Sequence, residues 1–250
     1  MNLTTVSVPF NEKFINVQIR TDLIKSNKCV DLQTINEILR DNVYQVRKED
    51  LVKDRIVIDL GANIGIFSLQ AAALGAAKIY AFEPNPENIM ILNENIFNNN
   101  FETIIQPIIK AVVPAESEGL QKMKFTDNDR DSRQTGLGES LASELALEHA
   151  IPSKDNSEFE AEIISLETFF SEEKVEEIDI LKCDIEWGEY PLFNSLQEDI
   201  LNRIKYLVIE FHGVKDDKEF GGIVANLTRF FAVNIIGSYG RGGYIYARRY

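Results

Sequence analysis

The chain has 250 residues, 44% hydrophobic and 26% charged, with 14 Gly, 7 Pro and 2 Cys, which excludes collagen-like, disulfide-scaffold and grossly disordered classes. One core of this size buries roughly 70 to 75% of the surface exposed by the unfolded chain, so neither a metal nor a disulfide is required for stability. A net charge of −14 repels a phosphate backbone, and nucleic acid is not an expected partner.

Met1 to Phe10 lacks a basic segment followed by a long apolar one, and no stretch approaches the roughly 20 apolar residues of a membrane span. A cytoplasmic protein without a membrane partner is expected, either a complete small enzyme or one domain of a longer polypeptide. Cys29 and Cys183 lie in unrelated segments with no CxxC or His-rich neighbour, which reads as packing in a reducing compartment and supplies no zinc framework.

Residues 1–50 read as an N-terminal extension, with a strand pair over Val6–Phe10 and Phe14–Arg20 and a helix over Leu32–Arg40. Ile56–Leu60 is a β-branched apolar run stopped by glycine, after which Phe67, Ala71 and Leu74 recur at helical spacing. Lys78–Phe82 reads as the next strand, followed by a helix that Asn85 caps and Pro86 begins. Further strands are expected at Pro107–Val113, Ile178–Cys183 and Tyr206–Phe211. The last two precede amphipathic patterns at Leu192, Phe193, Leu196 and Ile200, then at Phe220, Ile223, Val224 and Leu227. Residues 127–158 are rich in Asp, Ser, Glu and Gly and read as a polar loop, with one helix around Leu141 and Leu145; it is either a solvated excursion or a lid. Ala232–Ile236 and Tyr244–Arg248 are too close for a helical crossover and form a hairpin, placing one antiparallel strand in the sheet. The pattern is α/β and doubly wound, a Rossmann-like and mostly parallel sheet.

The chemistry concentrates where Ile56–Leu60 turns into a helix, at Asp59-Leu-Gly61-Ala-Asn63-Ile-Gly65. Glycines there admit a ligand close to the backbone, and nucleotides bind beyond the carboxyl ends of such strands. Glu83 ends the next strand, 24 residues after Asp59, where a carboxylate accepts hydrogen bonds from ribose hydroxyls. The spacing is not GxGxxG, and a carboxylate at Asp59 repels pyrophosphate while attracting a sulfonium and an amino group. S-adenosylmethionine is therefore favoured over NAD. Asp184, Glu186 and Glu189 follow the Ile178–Cys183 strand, and His212 ends the Tyr206–Phe211 strand beside Glu210. A neutral imidazole near pH 7 suits removal of a hydroxyl proton. The alternative for Asp184, Glu186 and His212 is a divalent cation site. No metal is assigned. His149 reads as a surface residue, Arg241 as a solvated turn residue or a clamp for an acceptor carboxylate, and Arg248-Arg249 as a local positive spot.

Four runs together resemble the FkbM-type family of class I S-adenosylmethionine-dependent methyltransferases: Val57–Gly65, Ala81–Asn88, Ile180–Glu186 and Leu207–His212. The resemblance spans about Asn42 to Arg249. It implies a seven-stranded sheet with a reversed last strand, one S-adenosylmethionine, and methyl transfer to oxygen on a small molecule, natural-product peptide or glycan. The methyltransferase domain would then cover residues 51–250. Asp59, Gly61, Ala62, Asn63 and Gly65 would surround the methionine half, Glu83 the ribose, and Pro84, Ala111 and Val112 the adenine. Tyr44 would close over the cofactor, and Asp184, Glu186 and His212 would stand at the reacting groups, Asp184 also touching the cofactor. The run departs from the family at Trp187, whose bulk alters the acceptor side. The remaining alternatives are a module that binds the nucleoside cofactor without turnover and an NAD-dependent oxidoreductase.

Overall fold

A computed structural model describes residues 2–21, 24–25, 28–51, 54–120, 122–128, 131–134, 157–213, 217–238 and 242–250. The chain divides into two compact units, Met1–Ile108 and Ile109–Tyr250. Seven strands form one mixed sheet, mostly parallel, in the order Phe231–Ser238, Gly242–Arg249, Ile204–Phe211, Ile178–Cys183, Ile56–Leu60, Lys78–Phe82, Ile105–Ile108. Gly242–Arg249 runs antiparallel to both of its neighbours, which is the reversed strand expected from the C-terminal hairpin.

The first unit opens with a hairpin of β1 (Leu3–Phe10) and β2 (Lys13–Arg20), turned at Asn11 in the left-handed region that Asn tolerates. Two short strands follow, β3 (Ile24–Lys25) and β4 (Lys28–Cys29), then α1 (Val30–Ile35), which runs on into a wider π turn over Asn36–Arg40. The rest of the first unit is β5 (Ile56–Leu60), α2 (Ile66–Leu74), β6 (Lys78–Phe82), α3 (Pro86–Asn98) and β7 (Ile105–Ile108), with β5, β6 and β7 parallel. Strands β5 and β6 are buried beyond their first residue, and α2 is buried over Ile66–Ala72. That is why their sequences are continuously apolar rather than alternating. The Asn85 side chain accepts from the Glu87 N–H at 2.9 Å, capping α3.

The hairpin docks on α3 through amide pairs. Asn99 accepts from the Asn16 N–H (2.8 Å) and donates to the Asn16 carbonyl (2.7 Å). Asn95 accepts from the Gln18 N–H (2.5 Å) and donates to the Ile64 carbonyl (2.8 Å). Carboxamides thereby pair with backbone groups of β2 that would otherwise need a neighbouring strand or water.

The second unit contains β8 (Ala111–Val112), β9 (Lys122–Asn128), β10 (Asp131–Gln134), β11 (Ser157–Ile164), α4 (Leu166–Glu172), β12 (Ile178–Cys183), α5 (Glu189–Ser195), α6 (Glu198–Leu201), β13 (Ile204–Phe211), α7 (Asp217–Leu227), β14 (Phe231–Ser238) and β15 (Gly242–Arg249). Strands β10, β9, β11 and β8 form a separate four-stranded sheet. In α4 the Ser165 side chain caps by accepting from the Thr168 N–H at 3.0 Å.

Two expectations change. The single strand expected over Pro107–Val113 is two, because Ile105–Ile108 pairs with β6 while Ala111–Val112 pairs with β11 in the other sheet. Residues 127 and 128, 131–134 and 157 and 158, read as loop from their polarity, are strand: β9 pairs with both β10 and β11. Backbone ladders satisfy these polar segments without an apolar signature. The helix expected around Leu141 and Leu145, together with His149 and Arg241, lies outside the described residues. Among the described residues no helix is long and apolar enough to cross a membrane.

Candidate functional site

In the first unit the Asp59–Gly65 turn leaves β5 and enters α2. Gly61 (φ 74°), Asn63 (φ 52°) and Gly65 (φ 90°) all adopt left-handed backbone. At Gly65 the close approach is also steric, since a Cβ there would overlap Leu92 Cδ1. Gly65→Ala therefore combines backbone strain with overpacking and is expected to cost at least about 2 kcal/mol. Urea denaturation checks this; an unchanged midpoint would show that the turn relaxes freely.

The turn's amides are spent on the protein itself. The Gly61 and Ala62 N–H groups donate to the Phe82 carbonyl (3.0 and 2.8 Å), the Gly65 N–H to the Ala62 carbonyl (2.8 Å), and the Asn63 N–H to Glu83 Oε2 (2.8 Å). A pyrophosphate site needs such amides pointing at the ligand. Here four are taken, and two buried carboxyl groups stand in the same region. Asp59 is fully buried, with Oδ2 accepting from the Ser68 hydroxyl at 2.7 Å. Glu83, 4% exposed, accepts at Oε1 from the Asn85 N–H (2.9 Å) and Asn88 Nδ2 (3.2 Å). Its carboxylate is locked in orientation before any ligand arrives. The donor chemistry fits a cationic nucleoside such as S-adenosylmethionine and disfavours a dinucleotide.

Ala62 is buried and Pro84 half-buried beside this turn. Tyr44, 3% exposed, packs edge-on against Phe67 with ring centroids 5.4 Å apart. Ala111 and Val112 are buried in β8, where Ala111 packs with Val113, Ala161 and Ile163 in the second unit's own core.

The second unit brings Asp184, Glu186, Glu189 and His212 together. Cys183 ends β12, and a tight turn at Ile185–Gly188 leads into α5, with the Gly188 N–H donating to the Ile185 carbonyl at 3.2 Å. Glu186 (φ 50°) and Trp187 (φ 75°) are consecutive left-handed non-glycine residues, a costly arrangement that clusters at functional sites. At the end of β13, His212 is gripped from α5. Glu189, fully buried, places Oε1 2.9 Å from His212 Nδ1 and also accepts from the His212 N–H at 3.0 Å. Glu189 Oε2 is buried with no hydrogen-bond partner among the described residues. Tyr190 donates its hydroxyl proton to the His212 carbonyl at 2.8 Å. With Nδ1 committed, Nε2 faces Glu186 Oε1 (3.5 Å) and Asp184 Oδ1 (3.7 Å). Trp187 flanks the imidazole, centroids 6.4 Å apart.

Burial opposes a charged imidazole, but the Glu189 charge and hydrogen bond, then the Glu186 and Asp184 charges, outweigh it and hold the His212 pKa well above its ordinary value. The surrounding carboxylates therefore favour the protonated form of His212, where composition and position alone suggested a neutral base. One donor atom each from Asp184, Glu186 and His212 lies within 4.8 Å of the others, the spacing behind the cation alternative. A cation there requires the neutral imidazole, since only that form ligates.

Arg248 stacks on the Tyr206 ring at 3.8 Å, and Arg249 donates to the Leu201 carbonyl at 2.8 Å. Both serve packing. Sequence reading missed Ser68, Arg20, Asn88 and the grip of Glu189 on His212. Only Ser68 left a local trace, in the first turn of the helix that follows the Asp59 it hydrogen-bonds.

The fold is a doubly wound, Rossmann-like α/β sheet. Within that class residues 59–235 match the Methyltransferase FkbM domain, and the chain belongs to that family. It is 26% identical over 206 residues to the AMB antimetabolite synthetase AmbE of Pseudomonas aeruginosa, covering 74% of this chain and 10% of that protein. It is 25% identical over 207 residues to the 31-O-demethyl-FK506 methyltransferase FkbM of Streptomyces tacrolimicus, covering 76% of this chain and 77% of that one. Among solved structures, an rRNA methylase from Streptococcus thermophilus superposes with a TM-score of 0.44 at 13% identity, covering 81% of this chain and 90% of that one.

Proposed function

We propose that the chain transfers a methyl group from S-adenosylmethionine to a hydroxyl oxygen of a small molecule, natural-product peptide or glycan. The observation that carries the donor is the β5–α2 turn, whose amides are consumed internally while Asp59 and Glu83 remain as buried carboxyl groups. Support for oxygen comes from the Streptomyces relative, whose name describes an O-methylation. The acid cluster of the second unit favours a hydroxyl over a carboxylate acceptor, because Asp184, Glu186 and Glu189 repel an anion.

When bound, S-adenosylmethionine supplies an electrophilic methyl on a sulfonium, and the C–S electron pair leaves with sulfur as the C–O bond forms. Glu83 and the Asn63 backbone orient the nucleoside, and Asp59 favours its positive end. The acceptor's hydroxyl proton passes to a carboxylate, Glu186 or Asp184, which His212 faces through Nε2 and helps orient. Alignment and exclusion of water account for most of the rate gain, with the proton transfer contributing about 10²- to 10⁴-fold. The same reading keeps the enzyme in the cytoplasm with no nucleic-acid partner, in line with its net charge of −14.

Calorimetric titration with S-adenosylhomocysteine and, separately, NAD tests the donor. Saturable binding of the first alone is expected; binding of NAD alone, or of neither, sinks the reading. With an acceptor in hand, the Asp184→Asn/Glu186→Gln double variant is expected to lower kcat at least about 100-fold for a hydroxyl. Near-unchanged turnover would assign a carboxylate acceptor instead.

A further inference from the structure

Arg20 ends β2 in the N-terminal hairpin and is 5% exposed, a placement a guanidinium adopts only when its donors are matched. Asp31 matches part of it: Nε and Nη2 donate to the two carboxylate oxygens at 3.1 and 2.9 Å, and the Arg20 N–H adds a third bond at 2.8 Å. That fork neutralises the charge. The other contacts reach the nucleotide-binding turn. Nη1 donates to Asn88 Oδ1 at 2.8 Å, and Nη2 to Asn63 Oδ1 at 3.3 Å.

Both asparagines are hydrogen-bonded to the same carboxylate. Asn88 Nδ2 donates to Glu83 Oε1 (3.2 Å), and the Asn63 N–H donates to Glu83 Oε2 (2.8 Å). One guanidinium thus controls both oxygens of Glu83 by two routes. A pairing needed only for stability would end at Asp31, and a buried ion pair is often no better than apolar packing. Asn63 is also left-handed, so its side-chain bond to Arg20 helps fix a backbone that the sequence otherwise leaves free to relax.

We propose that Arg20 is a positioning residue for the nucleoside: through Asn63 and Asn88 it holds the Glu83 carboxylate in the orientation that accepts the ribose hydroxyls. The N-terminal hairpin is then part of the cofactor-binding apparatus. This rests on the S-adenosylmethionine reading above. A lysine in its place retains the charge facing Asp31 but cannot fork to Asn88 and Asn63 together.

The test is calorimetry with S-adenosylhomocysteine and with an analogue lacking both ribose hydroxyls, on wild type, Arg20→Lys, Asn88→Ala, Glu83→Gln and the Arg20→Lys/Glu83→Gln double variant. Arg20→Lys and Asn88→Ala are each expected to weaken S-adenosylhomocysteine about tenfold, the loss of one charge-assisted contact. The analogue should weaken far less, so the preference for ribose hydroxyls shrinks. The double variant should bind within about twofold of Glu83→Gln alone, since both changes act on one carboxylate. A merely structural Arg20 would lower Tm while leaving the hydroxyl preference intact and the double variant additive, which would overturn the proposal. If Arg20→Lys does not fold, Asn88→Ala carries the test, because it leaves the Arg20–Asp31 pair in place. Failure of wild type to bind S-adenosylhomocysteine would overturn the donor reading, and this proposal with it. Wild-type binding with an unchanged hydroxyl preference in the variants would overturn the role of Arg20 alone.

Discussion

Glu83→Ala is expected to weaken S-adenosylhomocysteine binding by about 10²- to 10⁴-fold. Two hydrogen bonds from ribose hydroxyls to a carboxylate are worth about 1.5 to 3 kcal/mol each, and each 1.4 kcal/mol is tenfold in affinity. The substitution also strips the acceptor from the Asn63 N–H, the Asn85 N–H and Asn88 Nδ2. Those donors hold the turn in the shape that meets the ligand, so the loss falls on geometry as well as on direct contact. Glu83→Gln retains one acceptor oxygen and the side chain's shape, and its loss should be smaller. Calorimetry on variants shown to be folded by circular dichroism decides the matter. An affinity within about threefold of wild type for Glu83→Ala would remove Glu83 from the ribose site.

The second large effect is a pH-dependent stability that runs through His212. Its folded pKa lies well above the ordinary value, because Glu189, Glu186 and Asp184 together outweigh the cost of burial. Folding therefore takes up a proton at pH values between the unfolded pKa of about 6.5 and the folded one. The stabilisation is fully present below about pH 6.5 and is lost as pH rises through the folded pKa, by at most about 1.4 kcal/mol per pH unit. Urea unfolding from pH 6 to 9 should show wild type losing stability relative to His212→Asn over that window. Glu189→Ala should cost about 3 kcal/mol at pH 6, the penalty for stripping the buried partner from a charge, and less at pH 9. A wild-type profile parallel to that of His212→Asn would show that the imidazole titrates as it does in the unfolded chain.

A protonated His212 does not accept a hydroxyl proton until it has lost its own, so the proposed reaction gives that proton to the neighbouring carboxylates, Glu186 or Asp184. The left-handed turn at Glu186 and Trp187 keeps the Glu186 carboxylate within 3.5 Å of Nε2. Relaxing that turn would cost the contact.

Local chemistry in the sequence determined the stretch from β5 to the start of α3 almost residue by residue. Ile56–Leu60, Lys78–Phe82 and Ile178–Cys183 are strands with the bounds their apolar runs suggest, because a strand buried on both faces is largely apolar. Asn85-Pro86 starts α3, since capping and a fixed φ act within a few residues. The Asp59–Gly65 turn and Glu83 were legible for the same reason. Tertiary structure alone decided the rest. Nothing local in Pro107–Val113 says that its two ends pair in different sheets, as partner choice in a sheet is nonlocal. The polarity of residues 127 and 128 and 131–134 hides strands held by backbone bonds, which carry no side-chain signature. Arg20 looks like any strand-end arginine until the hairpin sets it against Asp31, Asn63 and Asn88. Likewise the raised pKa of His212 depends on Glu189, 23 residues earlier in the chain. Only folding brings a buried carboxylate to within hydrogen-bonding distance of that ring, and the electrostatics of the pair follow from the contact rather than from either residue.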